Sequence, residues 1–112
     1  MSKNKWTIVK LLTQSYFEKK RWLMFIYKIM SKSDFDAFKK NKIFQGAEID
    51  IIDGYIHFST GTQVEETAKK HFSGRDDLQL VWTIPELLEK NLKWEISRNN
   101  QPFPHLYQAW YY

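Results

Sequence analysis

Residues 53–72 read DGYIHFSTGTQVEETAKKHF, and the reading of this stretch decides the fold. Strand parity applies to its first half, where successive side chains point to opposite faces. Ile56 and Phe58 then share one face and suit a core. Tyr55, His57 and Ser59 share the other, and an aromatic ring, an imidazole and a hydroxyl suit a cleft wall. The second half has helical spacing. Thr62 and Glu65 form a capping-box pattern, Val64, Ala68 and Phe72 lie on one stripe, and Gly74 supplies a stop. The stretch thus predicts a strand feeding a helix, with Ser59 and Thr60 at the junction. Upstream, the Asp53-Gly54 pair between apolar runs predicts a hairpin joining EIDII to YIHFS.

Working outward, the apolar run LMFIYKIM at 23–30 predicts a buried strand. SKSDFDAFKKNK follows as a helix, with Ser33 before a polar first turn, Asp34 and Asp36 within it, and Phe35 and Phe38 facing inward. DLQLVWTI alternates as a strand, Pro85 opens a short helix over PELLEKN, and LKWEIS alternates again. In that last strand Leu92, Trp94 and Ile96 occupy one face and Lys93, Glu95 and Ser97 the other. His71 is expected on the inward stripe of its helix. The tail QPFPHLYQAWYY is too aromatic to dangle in water and should be packed or paired. The order is strand, helix, hairpin, helix, strand, short helix, strand and tail. That is an α+β pattern of compact mixed sheets with short helices, without the regular alternation of a doubly wound parallel sheet.

Composition bounds the function classes. The 112 residues fit one domain, with five Trp, six Tyr, eight Phe and no cysteine. So much aromatic surface argues for a folded chain, and thiolate metal sites and disulfides are excluded. Residues 1–23 hold six Lys and Arg against one Glu, a balance of +5, so the net charge of +4 leaves −1 for the remainder. The body therefore offers no broad basic surface for duplex nucleic acid. No apolar run reaches the roughly 18 residues of a membrane span, and no secretory signal is legible, which makes the cytoplasm the expected location. The charge balance changes near Arg21 to Met24, dividing an N-terminal extension, 1–23, from a domain at 24–112. In the extension Ile8, Leu11, Leu12 and Tyr16 fall near helical spacing and suit a short amphipathic helix, open to three readings: an extra helix packed on the body, a loose leader before a start at Met24, or a membrane-surface helix.

Three scattered histidines without HxxxH or HxH spacing predict no metal site. No GxGxxG, GxxxxGK or GxSxG motif is present. What remains is His57 and Ser59 on a non-core face, Glu95 on the polar face of its strand, and His105 between Pro104 and Leu106.

Those residues carry a resemblance. IYKI, DGYIHFST with Gln63 and ETAKKHF, DDLQLVW, LKWEISR and FPHLY resemble, in order and spacing over residues 25–107, the small bacterial domain family DUF952. Gln108 stands where that family usually has glycine. The resemblance implies a compact relative of the ADP-ribosyltransferase fold, built on small sheets around an NAD-binding cleft. On this reading Glu95 and His57 are the catalytic residues. Glu95 would hold the ribose 2-hydroxyl and stabilise an oxocarbenium-like centre. Ser59, Thr60 and Gln63 would bind ribose or phosphate oxygens, and Arg98 and His105 would complete the anion site. Tyr27 or Tyr55 would stack on nicotinamide. Lys28 and Tyr27 stand where enzymes of that fold carry a histidine or arginine on the first strand.

Three functions are therefore open. One is an enzyme that binds NAD or a related nucleotide and transfers or hydrolyses ADP-ribose. Another is a non-catalytic module for a small anion or nucleotide. The third is an interaction domain that uses Trp110, Tyr111 and Tyr112. The oligomeric state is not legible.

Overall fold

The structure is a computed structural model that describes residues 7–10 and 25–112. Among the described residues there are nine strands and three α-helices, with short 3-10 turns between them. In chain order they are β1 (Thr7–Lys10), β2 (Ile26–Ser31), α1 (Lys32–Asn41), β3 (Ile43–Phe44), α2 (Glu48–Asp53), β4 (Ile56–His57), β5 (Ser59–Thr60), α3 (Val64–Phe72), β6 (Leu78–Thr83), β7 (Leu92–Ile96), β8 (Pro102–Leu106) and β9 (Trp110–Tyr111). A four-stranded sheet runs β1-β6-β2-β5, a three-stranded sheet runs β4-β8-β7, and β3 pairs with β9. All of these pairings are antiparallel except β1 with β6. The fold is the expected mixed α+β arrangement of small sheets.

Period-two alternation in β2 divides the core. Ile26 and Met30 enter one cluster with Phe35, Phe38, Phe44, Ile56, Phe58, Val81, Leu106 and Trp110. Ile29 enters a second cluster with Ala68, Leu78 and Leu80, against which Tyr27, Val64 and Phe72 pack. The four-stranded sheet is thus covered by α3 on one face and by α1 with the smaller sheets on the other. Lys28 lies between Ile26 and Met30 on the same face, which carries its ammonium into the interior.

Helix α1 starts two residues earlier than the sequence predicts. Ser31, not Ser33, is its N-cap, and the Ser31 hydroxyl accepts the Asp34 N–H at 3.0 Å. Phe35 and Phe38 are buried, as expected. The predicted hairpin is instead α2. Asp50 in its first turn reaches back to accept the Ala47 N–H at 2.7 Å, which supplies a helix start that no Ser or Thr provides. Gly54, at φ +88°, closes the helix instead of turning a hairpin. Gly46, at φ +127°, admits no side chain, because a Cβ there would lie 2.7 Å from the Asp50 Cβ.

The Phe58 N–H donates to Pro104 O at 3.0 Å, and at this residue the chain passes between sheets. His57 belongs to the three-stranded sheet, whereas Ser59 pairs with Tyr27 in the four-stranded one. Helix α3 is entered through Gln63, not through a Thr62–Glu65 capping box. Its stripe of Val64, Ala68 and Phe72 faces the sheet as predicted, but His71 is exposed. Pro85 opens two 3-10 turns in place of one short helix. The tail packs, with Phe103, Leu106 and Trp110 buried and Tyr111 and Tyr112 exposed. Residues 7–10, which the helical spacing of Ile8 places in a helix, form a strand beside β6. The rest of that reading, and the boundary near Arg21 to Met24, lie outside the described residues.

Candidate functional site

The pairing of β4 with β8 sets His57 directly opposite His105. On the other side of β8, β7 sets Lys93 opposite His105 and Glu95 opposite Phe103. Three separate segments therefore bring His57, Glu95 and His105 together. The imidazole centroids are 5.6 Å apart. Tyr55 bridges them, stacked on His105 at 4.1 Å and tilted against His57 at 4.6 Å. Tyr107 joins at 5.2 Å from the Tyr55 ring.

Each histidine is held by a carboxylate. The Oε1 of Glu95 meets His105 Nδ1 at 2.7 Å and accepts the Tyr107 hydroxyl at 2.7 Å. Among the described residues nothing bonds to its Oε2. The hydrogen bonds from Tyr107 and then His105 hold the Glu95 carboxyl below its ordinary range, so it is a carboxylate at neutral pH. The same contact pushes Tyr107 up to about 12, which keeps its hydroxyl a donor. Burial lowers His105, against the opposing pull of Glu95. The ring is then neutral at neutral pH, with Nδ1 as its donor to Glu95 and Nε2 left as an acceptor. No described residue bonds to that Nε2.

His57 is held more tightly. Its Nδ1 lies 2.6 Å from Asp50 Oδ1 and its Nε2 lies 2.9 Å from Asp53 Oδ2. Asp50 also accepts the His57 backbone N–H at 3.1 Å, the Ala47 N–H at 2.7 Å and the Lys28 ammonium at 2.9 Å. Burial alone would raise the Asp50 carboxyl. The bond from His57, the charge and bond of Lys28 and the Ala47 N–H outweigh that and bring it to about 2. Burial lowers Lys28, with Asp50 opposing. So many donors converge on one carboxylate that we read the pair as ionised at neutral pH. Asp50, Lys28, Asp53 and Tyr107 are absent from the sequence-derived site. The pair Lys28–Asp50 joins residues 22 apart, and only the inward parity of Lys28 hinted that it needed a buried partner.

The remaining expected residues form a second network. Ser59, which is buried, bonds to the Thr67 hydroxyl at 3.1 Å, and Arg98 Nη2 donates to the same hydroxyl at 2.9 Å. Gln63 is spent internally, accepting the Thr60 N–H at 3.0 Å and donating to Pro102 O at 2.8 Å. Thr60 and Arg98 stay partly exposed, the latter over the Phe103 ring at 5.0 Å. Tyr27 packs with the α3 cluster. Of the face that Leu92, Trp94 and Ile96 share, Leu92 packs against the core, whereas Trp94 and Ile96 are 41% and 63% exposed. Among the described residues no group of three or more His, Asp or Glu side chains could hold a metal ion, and no helix is long and apolar enough to cross a membrane.

The model of the family described as Protein of unknown function (DUF952) matches residues 29–111. Among solved structures, the crystal structure of protein CC0527 from Caulobacter crescentus superposes with a TM-score of 0.76 at 45% identity, covering 78% of this chain and 76% of that one. The solution NMR structure of CC0527 gives a TM-score of 0.70 at 45% identity, covering 78% and 75%. No curated protein matches the chain.

Proposed function

The chain belongs to the DUF952 family, whose function is unknown, and from that premise we propose that the Glu95 cluster is a site for NAD or a related ribosyl nucleotide, at which ADP-ribose is transferred or hydrolysed. One observation carries the reading. Glu95 is an oriented, ionised carboxylate with one oxygen fixed by two donors and the other left without a bond among the described residues. Such a group can accept a ribose hydroxyl and favour positive charge developing at the anomeric carbon. The surroundings have the matching sense. Asp50, Asp53 and Glu95 stand against Lys28 and Lys93, which favours a cationic reacting ring over a second anion. The face of Tyr55 turned away from His105 could receive a flat heterocycle.

In hydrolysis the C–N bond to nicotinamide breaks with its electron pair leaving on the ring nitrogen. Water adds to the anomeric carbon and loses a proton, which His105 Nε2 could accept. Of the second network, Thr60 and Arg98 keep surface for the diphosphate, while Ser59 and Gln63 frame the turn. This reading retains the suggested kinship to the ADP-ribosyltransferase fold and a cytoplasmic setting. The test is NAD titration followed by ring and amide shifts at Tyr55, His57 and His105, together with nicotinamide release. Shifts with release that Glu95→Gln abolishes are expected. A titration without shifts sinks the reading.

A second reading is favoured by His57, whose two ring nitrogens are both engaged by carboxylates. A histidine so anchored suits a rigid binding wall better than proton transfer. It predicts nucleotide-dependent shifts with no nicotinamide released, and affinity unchanged in Glu95→Gln.

A further inference from the structure

Strand β7 pairs with β8 on one side, and among the described residues no strand pairs with its other edge. The ladder fixes which groups that edge presents. Tyr107 N–H donates to Asn91 O and Ser97 N–H to Gln101 O, each at 2.9 Å. Antiparallel bonding alternates, so odd-numbered residues of β7 bond to β8. The N–H and C=O groups of Leu92, Trp94 and Ile96 therefore point outward. Trp94 and Ile96 are also well exposed, as is Lys93. An open strand edge with apolar side chains is a template for pairing with another chain.

The sequence of this edge, Leu-Lys-Trp-Glu-Ile, is complementary to its own reverse. We propose that the chain associates with a second copy through β7, the two strands running antiparallel about Trp94. In that register Leu92 faces Ile96 of the partner subunit, Lys93 faces Glu95 of the partner subunit, and the two Trp94 residues meet at the twofold axis. Every pair is apolar with apolar or cation with anion. The outward-bonding residues are the even-numbered ones, which is the parity this register requires. A lone lysine on an edge strand discourages pairing, but a glutamate two residues on turns the same lysine into a partner. The result is an isologous interface, in which one residue contacts another and the contact recurs by symmetry. Lys93 and Glu95 share a sheet face with His105. Lys93 of the partner subunit would then stand beside Glu95, so each candidate site would be bordered by the other copy. The inference does not depend on the ligand proposed above.

The test is sedimentation equilibrium of the full chain over a dilution series. The wild type should approach twice its 13.6 kDa mass. Lys93→Glu and Glu95→Lys should each weaken association by about tenfold or more, since two attractive cross-strand pairs become repulsive. An equimolar mixture of the two variants should restore it, because both pairs are then of opposite charge. A wild type that stays monomeric at its highest soluble concentration overturns the proposal, as does a Lys93→Glu variant that associates like the wild type. Should Glu95→Lys fail to fold, hydrogen exchange decides. The Trp94 and Ile96 amides should be protected in the wild type at high concentration and exchange freely on dilution and in Lys93→Glu. Protection independent of both also overturns it.

Discussion

Two carboxylate–histidine pairs stand side by side in this molecule with opposite exposure. In one, the Asp50 side chain is 1% exposed and His57 32%. In the other, Glu95 is 40% exposed and His105 5%. The bond lengths are nearly equal, so bond geometry does not distinguish the pairs; burial does. A buried carboxylate with an ammonium, two backbone N–H groups and an imidazole around it is a structural pin, and its removal strands charge in the interior. An exposed carboxylate that keeps one oxygen unbonded contributes little to folding and is available to something arriving from solvent. The difference teaches that the same two residue types do separate jobs according to which member of the pair faces water.

The contrast is broken most forcefully at Asp50. Asp50→Ala leaves Lys28 buried without its partner and should cost about 3–5 kcal/mol of stability in urea denaturation. A loss as small as that of an ordinary surface substitution would erase the distinction. At Glu95 the effect should move from stability to function. Glu95→Gln should reduce nicotinamide release by about a hundredfold while changing Tm by no more than about 3 °C, as read by calorimetry and a release assay on the same preparation.

Acid separates the pairs next. The folded Asp50 carboxyl lies below its ordinary 3.8, at about 2, so the unfolded chain binds the proton first. Its contribution, about 2 kcal/mol, is present above pH 3.8 and is lost as pH falls toward 2. Burial lowers His105 from 6.5, so its contribution is present above 6.5 and declines as pH falls below that value. Denaturation across a pH series should show both declines, and Asp50→Asn should remove the lower one alone. The smallest effect is expected at Tyr107. Tyr107→Phe removes the larger of the two bonds on Glu95, so the Glu95 carboxyl should titrate closer to its ordinary value by carbon NMR. An unchanged titration would assign that role to His105 instead.

The sequence shows how these pairs could and could not be anticipated. Alternation placed Ile56 and Phe58 inside and His57 outside, and the aromatic tail pointed to packing, because both readings rest on local spacing. The expected hairpin gives way to a helix because Asp53-Gly54 serves a helix end as readily as a turn, and Ile49, Ile51 and Ile52 carry no core stripe. All three of those isoleucines are more than half exposed. Asp50 carries no local signal, because the lysine it neutralises arrives from strand β2, 22 residues earlier. Parity groups Ser59 with His57, yet the crossing between sheets at Phe58 directs it to Thr67, whose hydroxyl Arg98 also contacts. Parity holds within a strand and lapses where a strand changes partners.

The cross-strand placement of His57 opposite His105 makes the backbone itself the ruler for the two rings. Their separation is a property of hydrogen-bonded peptide spacing, so repacking nearby side chains would leave it nearly unaltered. A one-residue insertion between Ile56 and His57 would be another matter, since a single-step slip exchanges the two faces of a strand. The imidazole would turn into oil and a hydrocarbon into water, dismantling the pair without altering a single atom of either histidine.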